Sequence, residues 1–233
     1  MKNFSFAIKQ IVPLLCSYIF VGIAFGILIN KEGYSFLWAF FSGLFVYAGS
    51  MQIVMINLMT GGIPLYMVAI ITFFLNARHI FYGLGFIEKF RKMGWKYPYM
   101  VLTLTDETYS LLCSLKYPPN INEEKVNFYI NLSCHLLWTI SCTIGAIIGN
   151  VIPSNITKGI DFSATALFVT ICVNQWKQAK SHIPAIIGIV SAIIFLVILG
   201  PDNFILPALS TSLIALCFLK DKVENKMVGD TNE

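Results

Sequence analysis

The sequence predicts an all-α fold, a polytopic membrane helix bundle, and three observations carry that prediction. Hydrophobic residues make up 57% of the 233 positions and charged residues only 12%, with a mean hydropathy of +0.73, whereas a soluble domain carries about 25% charge. Six apolar runs meet or approach the roughly 20 residues that cross hydrocarbon, where a backbone without water must satisfy itself by forming helices. Basic residues gather in short stretches at Lys2 and Lys9, at Lys89, Arg91, Lys92 and Lys96, at Lys177 and Lys180, and at Lys220, Lys222 and Lys226, as cytoplasmic loops do. The net charge of +4 therefore reports orientation in a lipid bilayer. No interleaving of basic and aromatic residues suggests a nucleic-acid partner.

The run Ile11 to Ile29 is of span length and lacks a small-x-small cleavage site, so it reads as a first span and not as a signal peptide. Phe36 to Met59 is long enough to cross but is interrupted by Gly43, Tyr47-Ala48-Gly49-Ser50 and Gln52. Ile63 to Ile87, Tyr99 to Leu115 and Val126 to Ile152 read as further spans. Phe162 to Trp176 is short and carries Asn174 and Gln175 near its end, while Ile183 to Leu199 and Phe204 to Leu219 complete the set. Between the spans, Glu88 to Lys96 mixes Phe90, Met93 and Trp95 with its bases and suits the headgroup layer.

If all eight segments crossed, the most basic loop, Glu88 to Lys96, would face outward. Letting the second and sixth segments dip in and return puts every basic stretch and both termini on the cytoplasmic side, with Lys116 to Lys125 outside. The same assignment exposes an internal repeat: Gly22 and Gly26 match Gly145 and Gly149, Phe41-Ser42 matches Phe162-Ser163, and Ile63-Pro64 matches Ile183-Pro184. Residues 1–219 then form a single transmembrane domain with repeats 1–117 and 122–219 of opposite orientation, an inverted repeat with two re-entrant or broken helices. Residues 220–233 form a polar cytoplasmic tail.

The polar groups inside the apolar runs carry the function. Asn76-Ala77-Arg78-His79 lies within a run long enough to cross the membrane, and a charge there costs several kcal/mol unless it faces a partner or a solute path. Snorkelling to the headgroups is the bland alternative. The stretch Tyr47-Ala48-Gly49-Ser50-Met51-Gln52 can break a helix and expose N–H groups and a positive dipole end to a carboxylate, or pack helices through small residues. Asp106 and Glu107 are adjacent carboxyls in the fourth span: one pairs with Arg78 and the other is free to take a proton, against the alternative of a purely structural bridge. These residues make Tyr47, Ala48, Gly49, Ser50, Gln52, Asn76 and Arg78 the candidate substrate contacts, with the ammonium near Gln52, Asn76 or a carboxyl. His79, Asp106 and Glu107 are the candidate coupling or gating groups. His135 and His182 are weaker candidates. The six cysteines form no Cys-x-x-Cys pair and read as small hydrophobes. No metal-ligand spacing, nucleophile with a base, or phosphate loop suggests a metal, a cofactor or an enzyme.

At these residues the chain resembles the AzlC family, the large subunits of branched-chain amino acid exporters. The likeness lies in Pro13 with Phe25-Gly26, in Tyr47 to Gln52, in Asn76 to His79 and in Thr105-Asp106-Glu107, in that order. Ser50 stands where a small residue is expected. The resemblance implies an inner-membrane permease that exports branched-chain or similar neutral amino acids, with a small AzlD-like membrane subunit as partner, and the carboxyls at Asp106 and Glu107 add proton coupling to that expectation. The alternative class is a non-transporting accessory or sensory membrane subunit.

Overall fold

A computed structural model of the chain describes residues 2–152, 161–179, 181–200 and 204–219. All their regular elements are helices, with no strand among the described residues. Two compact units divide the chain, Met1–Leu167 and Phe168–Glu233. The tail after Leu219 and its orientation lie outside the described residues.

Three long helices frame the first unit: α1 (Lys2–Lys31), α4 (Leu65–Arg91) and α7 (Glu123–Gly149). At 1.5 Å per residue they are about 40–45 Å long, ample for a roughly 30 Å hydrocarbon core. α1 and α7 are each apolar and long enough to cross a membrane. α4 does so if its arms Leu65–Ile80 and Tyr82–Arg91, bent by 53°, form one span. α1 and α7 cross at van der Waals distance because neither has side chains in the way. A Cβ on Gly26 would overlap the Cys142 carbonyl, and one on Gly145 would overlap the Ile23 carbonyl. Such small-residue seams are how helices associate where lipid removes the hydrophobic drive.

The two helices run parallel. Asn122 N–H donates to Asn3 Oδ1 at 3.1 Å and Phe4 packs edge-on to Tyr129 at one end. Tyr18 meets Trp138 near the middle, and Asn30 Nδ2 donates to Asn150 Oδ1 at 3.1 Å at the other end. α4 runs the opposite way, since Lys89 pairs with Glu123 at 3.0 Å beside the start of α7. The expectation that the first and fifth segments have opposite orientation is therefore corrected: the Gly22/Gly26 and Gly145/Gly149 likeness marks two parallel helices in direct contact.

Between the long helices lie two broken hairpins. In the first, α2 (Phe36–Phe41) continues as a π-helical turn (Ser42–Val46), breaks at Tyr47-Ala48, and returns as α3 (Gly49–Thr60). Tyr47 takes left-handed dihedrals, φ 41° and ψ 45°, a strained choice for a bulky residue that ends the helix abruptly. Because α2 starts near the Asn30 end and α3 leads back to the start of α4, the second segment is re-entrant, as its interrupted sequence suggests.

The fourth segment, expected to cross from Tyr99 to Leu115, is the second hairpin. After a short 3₁₀ turn, α5 (Tyr97–Leu102) enters beside α7, where Lys96 lies over the Phe128 ring at 4.4 Å. It breaks at Thr103-Leu104-Thr105, and α6 (Asp106–Ser114) turns back. Tyr109 then stacks on Tyr82 at 4.7 Å, and Tyr117 donates to Asn127 at 2.7 Å near the start of α7. Lys116 to Lys125 thus lies at the same end as Lys89 to Lys96, and Tyr99 and Leu115 do not mark two membrane faces. The cause is local: Thr105 and Thr108 form a reciprocal capping box, so the chain starts a new helix at Asp106 and does not continue the old one. The first unit therefore contains a long helix followed by a broken hairpin, twice, in opposite directions.

In the chain order that follows, α8 (Asp161–Gln178) is one unbroken helix and not a broken sixth segment. The second unit holds α9 (Ile183–Leu199) and α10 (Ile205–Phe218), packed on each other, with Trp176 stacked on His182 at 4.0 Å.

Candidate functional site

The tips of the two hairpins meet beside Arg78, near the middle of α4. Arg78 Nη1 lies 2.6 Å from Asp106 Oδ2 on the second tip, and Nη2 donates to Ser50 Oγ on the first at 2.7 Å. One guanidinium therefore joins the first turns of α3 and α6. Its planar fork suits that bridging role better than an ammonium would. Acidic Asp106 and Glu107 in the first turn of α6 also sit where a helix N-terminus favours negative charge.

Each remaining long helix holds the tips with polar side chains from its central turns. From α1, the Tyr18 hydroxyl lies 2.9 Å from Thr105 Oγ1 and donates to Glu107 Oε2 at 3.4 Å. From α7, Trp138 Nε1 donates to Gln52 Oε1 at 2.7 Å, and Gln52 Nε2 donates to Ser42 Oγ at 3.1 Å, which ties the arms of the first hairpin together. His135 spans both hairpins. Its Nε2 lies 3.1 Å from the Leu44 carbonyl, which can only accept, so Nε2 carries the proton and the neutral ring accepts from Tyr99 Oη at Nδ1, 3.0 Å away. Asn131 Nδ2 reaches the Met100 carbonyl and Thr103 Oγ1, both at 3.3 Å.

The structure brings together Tyr47, Ala48, Gly49, Ser50, Arg78, Asp106 and Glu107 from the residues singled out in the sequence. It places two others differently. Gln52 is wholly buried and bonded at both ends of its amide, which makes it part of the hairpin scaffold. Asn76 precedes Arg78 by two positions on one helix, about 200° around the axis, so it does not share the arginine's face. The face that meets the hairpins carries Met67, Ile71 and Leu75, which pack with Ala48 and Met51, and then Arg78 and Tyr82. His79 contacts its own helix, with Nδ1 3.2 Å from the Asn76 carbonyl, and the ring edge of Tyr82.

Tyr18 and Trp138 were not marked by the sequence, since an aromatic in an apolar run reads as lipid-facing or core. Their signal was position: both lie mid-helix, away from the interfaces where amphipathic rings gather. Four buried polar atoms near the break and on α4 have no hydrogen-bond partner in the protein: Tyr47 Oη, Asn76 Oδ1, Arg78 Nε and Asp106 Oδ1. Buried groups of this kind are scarce in native proteins and mark sites with further business.

The family described as AzlC protein matches residues 13–152, the stretch that contains all three framing helices except the first turns of α1. The chain is 32% identical over 226 residues to the branched-chain amino acid transport protein AzlC of Bacillus subtilis, covering 97% of this chain and 89% of that protein. It is 34% identical over 217 residues to an uncharacterized membrane protein of Haemophilus influenzae, covering 93% and 88%. Inner membrane protein YgaZ of Escherichia coli is 26% identical over 182 residues, covering 74% and 73%. No solved structure matches the chain.

Proposed function

The chain belongs to the AzlC family and is a membrane transport protein, and on that premise we propose that it exports branched-chain or similar neutral amino acids across the cytoplasmic membrane, driven by proton entry. The observation that carries this reading is the Arg78 bridge between two re-entrant tips, at mid-helix and beside buried polar atoms without partners. A charged cluster at that depth is expensive, and two broken helices entering from opposite ends are the arrangement in which secondary transporters hold a solute near the midplane.

The apolar half of the substrate has a matching surface. Ala48, Met51 and Ile71 pack with Met55, Met67 and Leu75 directly beside Ser50 and Arg78. Methionines adapt their shape to a guest better than branched residues do, which suits several aliphatic side chains at one site. Coupling falls to Glu107. Asp106 is engaged by Arg78, whereas the Glu107 carboxylate has a longer 3.4 Å bond from Tyr18, so Glu107 takes up and releases the proton while the ion pair persists. The basic end at Lys2 and Lys89 to Lys96 faces the cytoplasm, and a small AzlD-like membrane subunit completes the exporter.

The test is efflux of radiolabelled valine, leucine and an unrelated polar amino acid from cells or vesicles making the chain with and without the small subunit. Expected is leucine and valine efflux that an imposed proton gradient accelerates. Efflux no faster than in cells lacking the chain, with both subunits present in the membrane, contradicts the reading.

A further inference from the structure

The contact between Arg78 and Asp106 is single, Nη1 to Oδ2 at 2.6 Å, and Ser50 occupies Nη2. Two atoms of the pair make no hydrogen bond to the protein at all, Nε on the cation and Oδ1 on the anion, and both are buried. An arginine and a carboxylate that could form two parallel bonds commonly do so. Here the Ser50 bond turns the fork aside, and a complementary pair of bonding positions is left over. A free amino acid headgroup supplies the reciprocal pair: a carboxylate for Nε and an ammonium for Oδ1, one carbon apart.

Charge balance sharpens the match. With Glu107 in its protonated form the ion pair leaves the site without net charge, so a zwitterion adds none. An amine would bring one uncompensated positive charge and an oxo acid one negative charge, at a depth where unpaired charge is strongly disfavoured. We propose that the Arg78–Asp106 pair stays joined and reads both charges of the substrate, the α-ammonium on Asp106 Oδ1 and the α-carboxylate on Arg78 Nε, so that only zwitterionic amino acids are carried. This rests on the amino-acid transport reading above and adds to it a headgroup filter.

The experiment is radiolabelled leucine counterflow into vesicles containing the full chain together with the small subunit, with three competitors that share one side chain: leucine, 3-methylbutylamine and 4-methyl-2-oxopentanoate. The filter predicts that the amine and the oxo acid compete at least about tenfold more weakly than leucine, as sites built around buried polar groups reject analogues that leave them unpaired. Asp106→Asn, which leaves the arginine charge unbalanced, should improve the oxo acid about tenfold relative to leucine. Since that variant can fail to fold, the same three compounds are also tested for thermal stabilisation of the purified wild-type chain, where leucine alone should act. An oxo acid or amine matching leucine within about threefold in wild-type protein, by either readout, overturns the filter while leaving amino-acid transport standing. Absence of both leucine counterflow and leucine stabilisation removes the transport reading and the filter together.

Discussion

Replacing Asp106 by alanine removes one end of the ion pair that joins α4 to the second tip, and its effect can be sized. The two side chains are 23% and 27% exposed, so the pair sits between two known limits. An exposed pair is worth about 1 kcal/mol or less, and removing one member of a fully buried pair costs about 3–5 kcal/mol. Opposite charges about 4 Å apart at an effective dielectric near 20 attract by roughly 4 kcal/mol. Three-quarters burial places the expected loss at about 2–3 kcal/mol, part of it from an Arg78 left with Ser50 alone. The assay is a double-mutant cycle on unfolding in mixed micelles with Asp106→Ala, Arg78→Ala and the double variant. Once either member is gone the bridge is already lost, so the double variant should cost about 2 kcal/mol less than the sum of the singles. A sum that is additive to within about 0.5 kcal/mol, the behaviour of independent sites, would refute the claim that this pair couples helix to tip.

Four further outcomes follow from named contacts. Gly26→Val should abolish accumulation of folded chain, because a side chain there meets the Cys142 carbonyl and the Ala146 amide on α7. Gly188→Ala, with nothing within 4 Å, should leave protein levels unchanged or raise stability by up to about 1 kcal/mol through helix propensity; immunoblots of membrane fractions report both. Trp138→Phe should destabilise by about 1–3 kcal/mol, since it strands the Gln52 carbonyl in a fully buried site, and unfolding titrations give the value. Glu107→Gln should leave leucine exchange intact but make net efflux insensitive to an imposed pH gradient, measured in vesicles at fixed membrane potential.

How much of this was legible in the sequence depended on whether a signal was local. The break at Tyr47-Ala48 was visible because small and polar residues interrupt an apolar run, and the depth of Arg78 was visible because the run around it is long. The second break was written as plainly. Thr105-Asp106-Glu107-Thr108 is a threonine cap, two first-turn acids and a reciprocating threonine, but apolar residues on both sides masked it as one crossing. Read as a crossing, that segment also reverses the expected direction of α7 against α1. The bond from Trp138 to Gln52 and that from Tyr18 to Thr105 were beyond reach, since they join positions 86 and 87 apart that only the packed helices bring together. Asn76 shows the converse. Neighbours in sequence looked like one polar site, yet helical geometry turns the asparagine away from the face that holds the arginine.

Two hairpins enter from opposite ends and touch at Arg78, and side-specific cysteine labelling tests that arrangement directly. In a background with Cys16, Cys113, Cys134, Cys142, Cys172 and Cys217 replaced, single cysteines are placed at Gly61, Lys92 and Lys116, and an impermeant reagent is applied to intact cells and to inverted vesicles. The fold predicts Lys92→Cys and Lys116→Cys labelled from one side and Gly61→Cys from the other. Labelling of Lys92→Cys and Lys116→Cys from opposite sides means that residues 97–114 cross the membrane, and the meeting of the two tips cannot then exist.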